Sequence, residues 1–232
     1  MKRLLVAFML AAGGTSLMAQ DKEQLPLLTV TGSSEVMVAP DQATVTVGVL
    51  AQASKAQDAQ EQANQIAQRF LDAVAKLGIQ KKDIQTSQLS LSPVYENPKP
   101  GEAPRISGYR AENSLGVRLD DFKLIGPVID AGVASGANNI QGVSFSVKDD
   151  IEARLRALTL AAAEAKRKAE TMAQALGITL DGVFDVVESG AQVMPNYYDG
   201  RGMAAMKAAT PVEPGQISVN AMMTVRYAIK RK

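Results

Sequence analysis

Apolar and polar residues alternate with period two along Leu27–Val38 and again along residues 41–50, where Ala43, Val45, Val47 and Val49 point one way and Thr44 and Thr46 the other. This alternation predicts two half-buried strands joined at the Ala39-Pro40 turn. The rhythm then changes to spacings of four and three. Ala59, Ala63, Ile66, Phe70, Ala73 and Leu77 fall on one face of a helix of roughly six turns. Ser54 with Gln57 three residues on predicts a capping box at its start, and Gly78 predicts its end. Extended patterns follow over Ile84–Tyr95 and Ile106–Leu119, separated by a loop rich in proline at Pro93, Pro98, Pro100 and Pro104.

Asp120 and Asp121 precede a shorter helix over residues 122–135, with Leu124, Ile125, Val128 and Ile129 on one face and Pro127 early enough to be tolerated. Alternation returns over residues 140–148, through Val143, Phe145 and Val147. A third helix begins after Asp149 and closes at Gly177. Ile151, Leu155, Leu158, Ala162, Ala165, Ala169, Met172 and Leu176 keep a strict four-three rhythm there, which predicts them as its buried seam. Residues 183–188 read as a strand, residues 189–215 as a low-pattern loop, and residues 217–229 as an alternating strand through Val219, Ala221, Met223, Val225 and Tyr227.

The helix ends Ala75-Lys-Leu-Gly-Ile79 and Gln174-Ala-Leu-Gly-Ile178 stand at matching places, which predicts a strand-helix-strand pseudo-repeat with halves at about residues 27–119 and 137–229. Val45, Val47 and Val49 would correspond to Val143, Phe145 and Val147. The fold class expected is α+β: a mixed, mainly antiparallel sheet with two long helices and one shorter helix packed on it.

Composition narrows the chemistry. The 232 residues hold no histidine and no cysteine. Imidazole relays, thiolate nucleophiles, metal sites built on thiolate or imidazole and redox dithiols are therefore excluded. Lys2 and Arg3 precede a short apolar run from Leu4 to Ala12, well under the roughly 20 residues that span a bilayer. Residues 1–19 read as a signal peptide cleaved after Ala19. Its removal leaves 23 cations against 24 carboxylates. That balance argues against nucleic acid as a partner.

Several stretches together resemble bacterial members of the SIMPL-domain family, of the oxidative-stress-defence and outer-membrane immunogen type. They are Leu28-Thr-Val-Thr-Gly-Ser-Ser-Glu-Val-Met-Val-Ala-Pro-Asp-Gln-Ala43, Gly108-Tyr-Arg-Ala111, Leu119-Asp-Asp-Phe122, Asn139-Ile-Gln-Gly-Val143, the alanine-rich third helix and Val225-Arg-Tyr227. The resemblance spans nearly all of residues 27–229 and rests on turns and element starts. It implies an exported protein of periplasmic or outer-membrane-associated location, large ring- or channel-like homo-oligomers in at least some members, and a link to oxidative-stress defence. It implies no reaction and supplies no catalytic, cofactor or metal residue.

The residues themselves offer few sites. The pairs Asp120/Asp121 and Asp149/Asp150 sit at helix starts, where carboxylates satisfy free N–H groups and the helix dipole. Gly132 and Gly136 follow a helix and lack the lysine of a phosphate loop, so they read as a helix-ending turn. Ser144, Ser146 and Lys148 share one face of a strand and read as its polar side. Residues 191–215 hold Met194, Tyr197, Tyr198, Asp199, Arg201, Met203 and Met206 with no burying period. Met194, Tyr197, Tyr198, Met203 and Met206 are the candidate interface or ligand residues. Such residues suit a docking surface, and thioethers also take copper(I) or oxidants. The basic tail Lys230-Arg231-Lys232 would attract anionic lipid headgroups weakly. The expected function is a non-enzymatic envelope protein that assembles with itself; the alternative is a periplasmic ligand- or metal-binding module working through residues 191–215.

Overall fold

A computed structural model describes residues 25–96, 103–194, 196–198 and 213–231. The expected signal peptide, residues 1–19, lies outside them. The elements are β1 (Leu27–Val38), β2 (Gln42–Ala53), α1 (Ala56–Lys76), β3 (Ile84–Tyr95), β4 (Ile106–Leu119), α2 (Ile125–Ser135), β5 (Asn139–Ser146), α3 (Ile151–Leu176), β6 (Ile178–Met194), β7 (Asn196–Tyr198) and β8 (Ile217–Arg231). The α+β class stands. The strands form two sheets where one was expected, ordered β1-β8-β6 and β3-β4-β2-β5-β7, and every described pairing is antiparallel.

The main core lies between the five-stranded sheet and the helices α1 and α2. Phe70 and Val74 of α1, Ile125 and Val128 of α2, and Val45, Val47, Val117 and Val143 of the sheet are buried there. Phe145 adds an edge-on contact with Phe122, ring centres 5.4 Å apart. Burying a side chain of this size stabilises by about 1.5–3 kcal/mol. The start of α1 differs from expectation: Lys55 is the N-cap, without a side-chain hydrogen bond, so the Ser54–Gln57 box does not form.

The second core differs in kind. α3 covers the three-stranded sheet chiefly with alanine: Ala157, Ala161, Ala165, Ala169 and Ala173 are its buried residues, with Leu158 partly buried beside them. They meet Leu28, Val30, Val36, Val219, Val225 and Tyr227. Alanine removes little apolar area, so the contact depends on dispersion at close range. Gly32 on β1 permits that range. A Cβ built on it would stand 2.6 Å from the Ala165 nitrogen and 2.9 Å from its Cβ. The expected four-three seam is corrected accordingly. Ala165 and Ala169 belong to both stripes and Leu158 packs partly against the core, while Ile151, Leu155, Met172 and Leu176 are exposed.

Each long helix runs into an antiparallel pair, α1 into β3 and β4, α3 into β6 and β8. β2 completes the first unit beside β4. In the second, the place beside β8 belongs to β1, from the far end of the chain, while β5 pairs with β2 and β7. β6 also runs through part of the region expected to be loop, because Ala191, Gln192, Val193 and Met194 pair with β8 past a register shift after Glu188.

Placing a side chain at residue 32 pushes α3 off the sheet. Gly32→Ala is expected to lower stability by about 1–3 kcal/mol, the usual penalty of overpacking, read as a reduced urea midpoint at unchanged slope; an unchanged midpoint contradicts the close contact.

Candidate functional site

The paired acids are engaged in structure. Asp121 accepts from the Lys123 N–H at 3.0 Å, and Asp149 accepts from the Ile151 N–H at 3.1 Å, both as helix-start caps. Asp120 pairs with Lys148 at 2.6 Å and accepts from Gln42 at 3.3 Å. Those hydrogen bonds, Lys148's first, hold its carboxyl below the ordinary range. Asp150 is held low in the same way by the Arg154 hydrogen bond, at 2.7 Å. General acid catalysis needs a carboxyl shifted upward; these are shifted down. Lys148 is committed to Asp120, away from any dyad with Ser144 or Ser146. Gly136 ends α2 in the left-handed conformation, φ 99°, as a helix-ending turn requires. Among the described residues no group of three or more carboxylates could hold a metal ion.

The candidate loop divides. Met194 ends β6, half exposed, opposite Ser218; Met37 of β1 faces the same Ser218 from the other side. Tyr197 and Tyr198 lie in β7, whose backbone pairs with Ser144 and Val143 in the other sheet. The structure thus separates Met194 from the two tyrosines by a change of sheet. Met203 and Met206 lie outside the described residues, as do Asp199 and Arg201. An open trough of about 610 Å³ crosses the outer face of the three-stranded sheet between Ser33, Glu35, Gln192, Asn220 and Met222. Its lining carries a single charge, from Glu35, and shows no pair of convergent acids.

The surface is more informative than any pocket. Exposed apolar side chains concentrate on three elements: Ile151, Leu155, Leu160, Met172 and Leu176 on α3, Leu89 and Leu91 on β3, and Val183, Phe184, Val186 and Val187 on β6. Ile151 is 62 % exposed and Leu176 65 %. Side chains of α3 reach both outer strands of the three-stranded sheet, Arg154 donating to the Ala191 carbonyl of β6 and two residues engaging β1. Along β1, Glu164 of α3 accepts from the Ser33 backbone N–H, and Lys168 donates to the Thr31 carbonyl at 2.9 Å. These two side chains, themselves paired at 3.2 Å, occupy backbone groups that a further strand would need. No described element pairs with the outer side of β6.

Sequence reasoning missed both the guard on β1 and the open edge of β6. Glu164 and Lys168 show in sequence only as an i,i+4 pair off the apolar stripe.

A family model described as "SIMPL: Protein of unknown function (DUF541)" matches residues 28–227. The chain is 32 % identical over 217 residues to a 26 kDa periplasmic immunogenic protein of Brucella melitensis biotype 1, covering 88 % of this chain and 84 % of that one. It is 31 % identical over 185 residues to the uncharacterized protein YggE of Edwardsiella ictaluri, covering 79 % and 77 %. The YggE of Escherichia coli K12 shares 26 % over 212 residues, covering 91 % and 84 %.

The Ser33 N–H, with Lys168 second, lowers the Glu164 carboxyl below its ordinary value of 4.5. A depressed carboxyl contributes stability that is present above the ordinary value and lost as pH falls toward the lowered one. Glu164→Ala is therefore expected to lose stability at pH 7 and to show a shallower further loss between about pH 5 and 3. Urea midpoints across that range test it; parallel curves for the variant and the parent contradict the role.

Proposed function

The chain belongs to the SIMPL family of proteins of unknown function (DUF541), and on that premise we propose that it is a non-enzymatic protein of the bacterial periplasm that works as a ring- or channel-like homo-oligomer with a protective role in oxidative stress. The observation that carries the self-assembly is the exposed apolar surface of α3, β3 and β6. Clustered exposed apolar side chains, such as Val183, Phe184, Val186 and Val187 of β6, mark protein interaction sites. A periplasmic site draws support from the relatives named periplasmic immunogenic proteins. The non-enzymatic reading draws on acids held low in caps and ion pairs.

The second reading, a ligand- or oxidant-binding module, draws on the half-exposed Met37, Met194 and Met222, which share the sheet face away from α3. Thioethers there would take up an oxidant as reversible sulfoxide. Peripheral attraction to lipid is weakened in one respect, since Lys230 is paired with Asp181 at 2.7 Å.

Light scattering after size exclusion, at several concentrations, tests the proposal. The expected result is one discrete mass of many subunits that does not change on dilution; a species no heavier than one 24.6 kDa chain overturns it.

A further inference from the structure

Among the described residues, β1 and β6 bound the three-stranded sheet, and β3 and β7 bound the five-stranded one. The β1 edge is closed by Glu164 and Lys168. β7 is three residues long. That leaves two long edges, β6 with 17 residues and β3 with 12.

The two share one feature: part of each edge strand stays bare on the helix side, although α3 does reach β6 at Ala191. α1 packs on β4 and β2, and Leu89 and Leu91 of β3 remain bare beside it. Leu91 lies in register with the buried Ala111, so its row belongs to the helix side of that sheet. α3 packs chiefly on β1 and β8. Val183 and Val186 of β6 lie in register with Tyr227 and Val225, which α3 covers. Yet Val183 is 57 % exposed while Val225 is 4 %. Each sheet therefore ends in an apolar half-groove on its helix side.

We propose that β6 of one copy pairs with β3 of the next, joining the two sheets edge to edge. Val183 and Val186 then meet Leu89 and Leu91 of the neighbour in a trough walled by α3 on one side and the neighbour's α1 on the other. This rests on the self-assembly reading and names its contact surface. Charge selects the pairing. β6 carries Asp181, Asp185 and Glu188 and no cation of its own; Lys230 and Arg226 of β8 pair with the first two, so Glu188 is the acid that two β6 strands side by side would bring together. β3 carries no charged residue, and Arg110 stands next to it, opposite Ser92. Pro93 lacks an N–H, so the pairing occupies residues 84–92 of β3. Because the two edges are different surfaces, the contact is head-to-tail, and repetition closes a ring when the rotation permits.

The absence of cysteine makes a clean test. Four double variants combine Leu89→Cys or Leu91→Cys with Val183→Cys or Val186→Cys, and each is oxidised mildly at a concentration where light scattering shows the assembled mass. The expected result is a ladder of covalent oligomers in at least one double variant and monomers alone for every single variant, since a disulfide needs Cα atoms about 4.4–6.8 Å apart. An assembled protein that gives no ladder overturns the edge pairing while leaving self-assembly standing. Covalent dimers from Val186→Cys alone also overturn it, in favour of β6 pairing with β6. A parent protein with the mass of one chain removes the self-assembly reading itself.

Discussion

The contact between α3 and Gly32 sets the rest of the three-stranded half. Without a side chain at residue 32, the helix backbone settles onto β1, and a seam of alanines suffices to hold it. That position brings Glu164 and Lys168 within reach of the β1 edge and leaves Val183 and Val186 of β6 bare. The guarded stretch of β1 and the bare stretch of β6 follow from one placement.

α3 carries two apolar stripes, and only one faces the sheet. At about 100° per residue, a four-three rhythm runs nearly straight along a helix, whereas a strict spacing of four turns by about 40° at each step. The alanines from Ala157 to Ala173 follow the second course, as a helix lying across a twisted sheet requires. The straight stripe coincides with them only at Ala165 and Ala169, so its larger ends, Ile151 and Leu155 at one end and Met172 and Leu176 at the other, face away. Large side chains at a helix end usually signal the core; here they signal a surface that lacks a partner.

Much of the molecule was legible in the sequence. Strand and helix positions followed from periods of two and of four-three, and the capping roles of Asp121 and Asp149 followed from their place before helix starts. Three things were not legible. The division into two sheets depends on β1 pairing with β8 across most of the chain, and local patterning carries no record of partners. The length of β6 was hidden by register shifts around Val183 and Glu188, which break the alternation that reveals a strand. The candidate loop was judged by composition, so the change of sheet between Met194 and Tyr197 was invisible.

The picture that emerges is of a fold whose paired acids serve helix starts and ion pairs and whose unspent apolar surface lies on α3 and at two sheet edges. Amide hydrogen exchange, resolved by peptide, bears on that picture most directly. If β6 is an assembly edge, peptides from residues 178–194 are strongly protected in the assembled protein and lose that protection when low urea separates the subunits, while β1 peptides, guarded by Glu164 and Lys168, keep theirs. Rapid exchange of β6 in the full assembly would contradict the account.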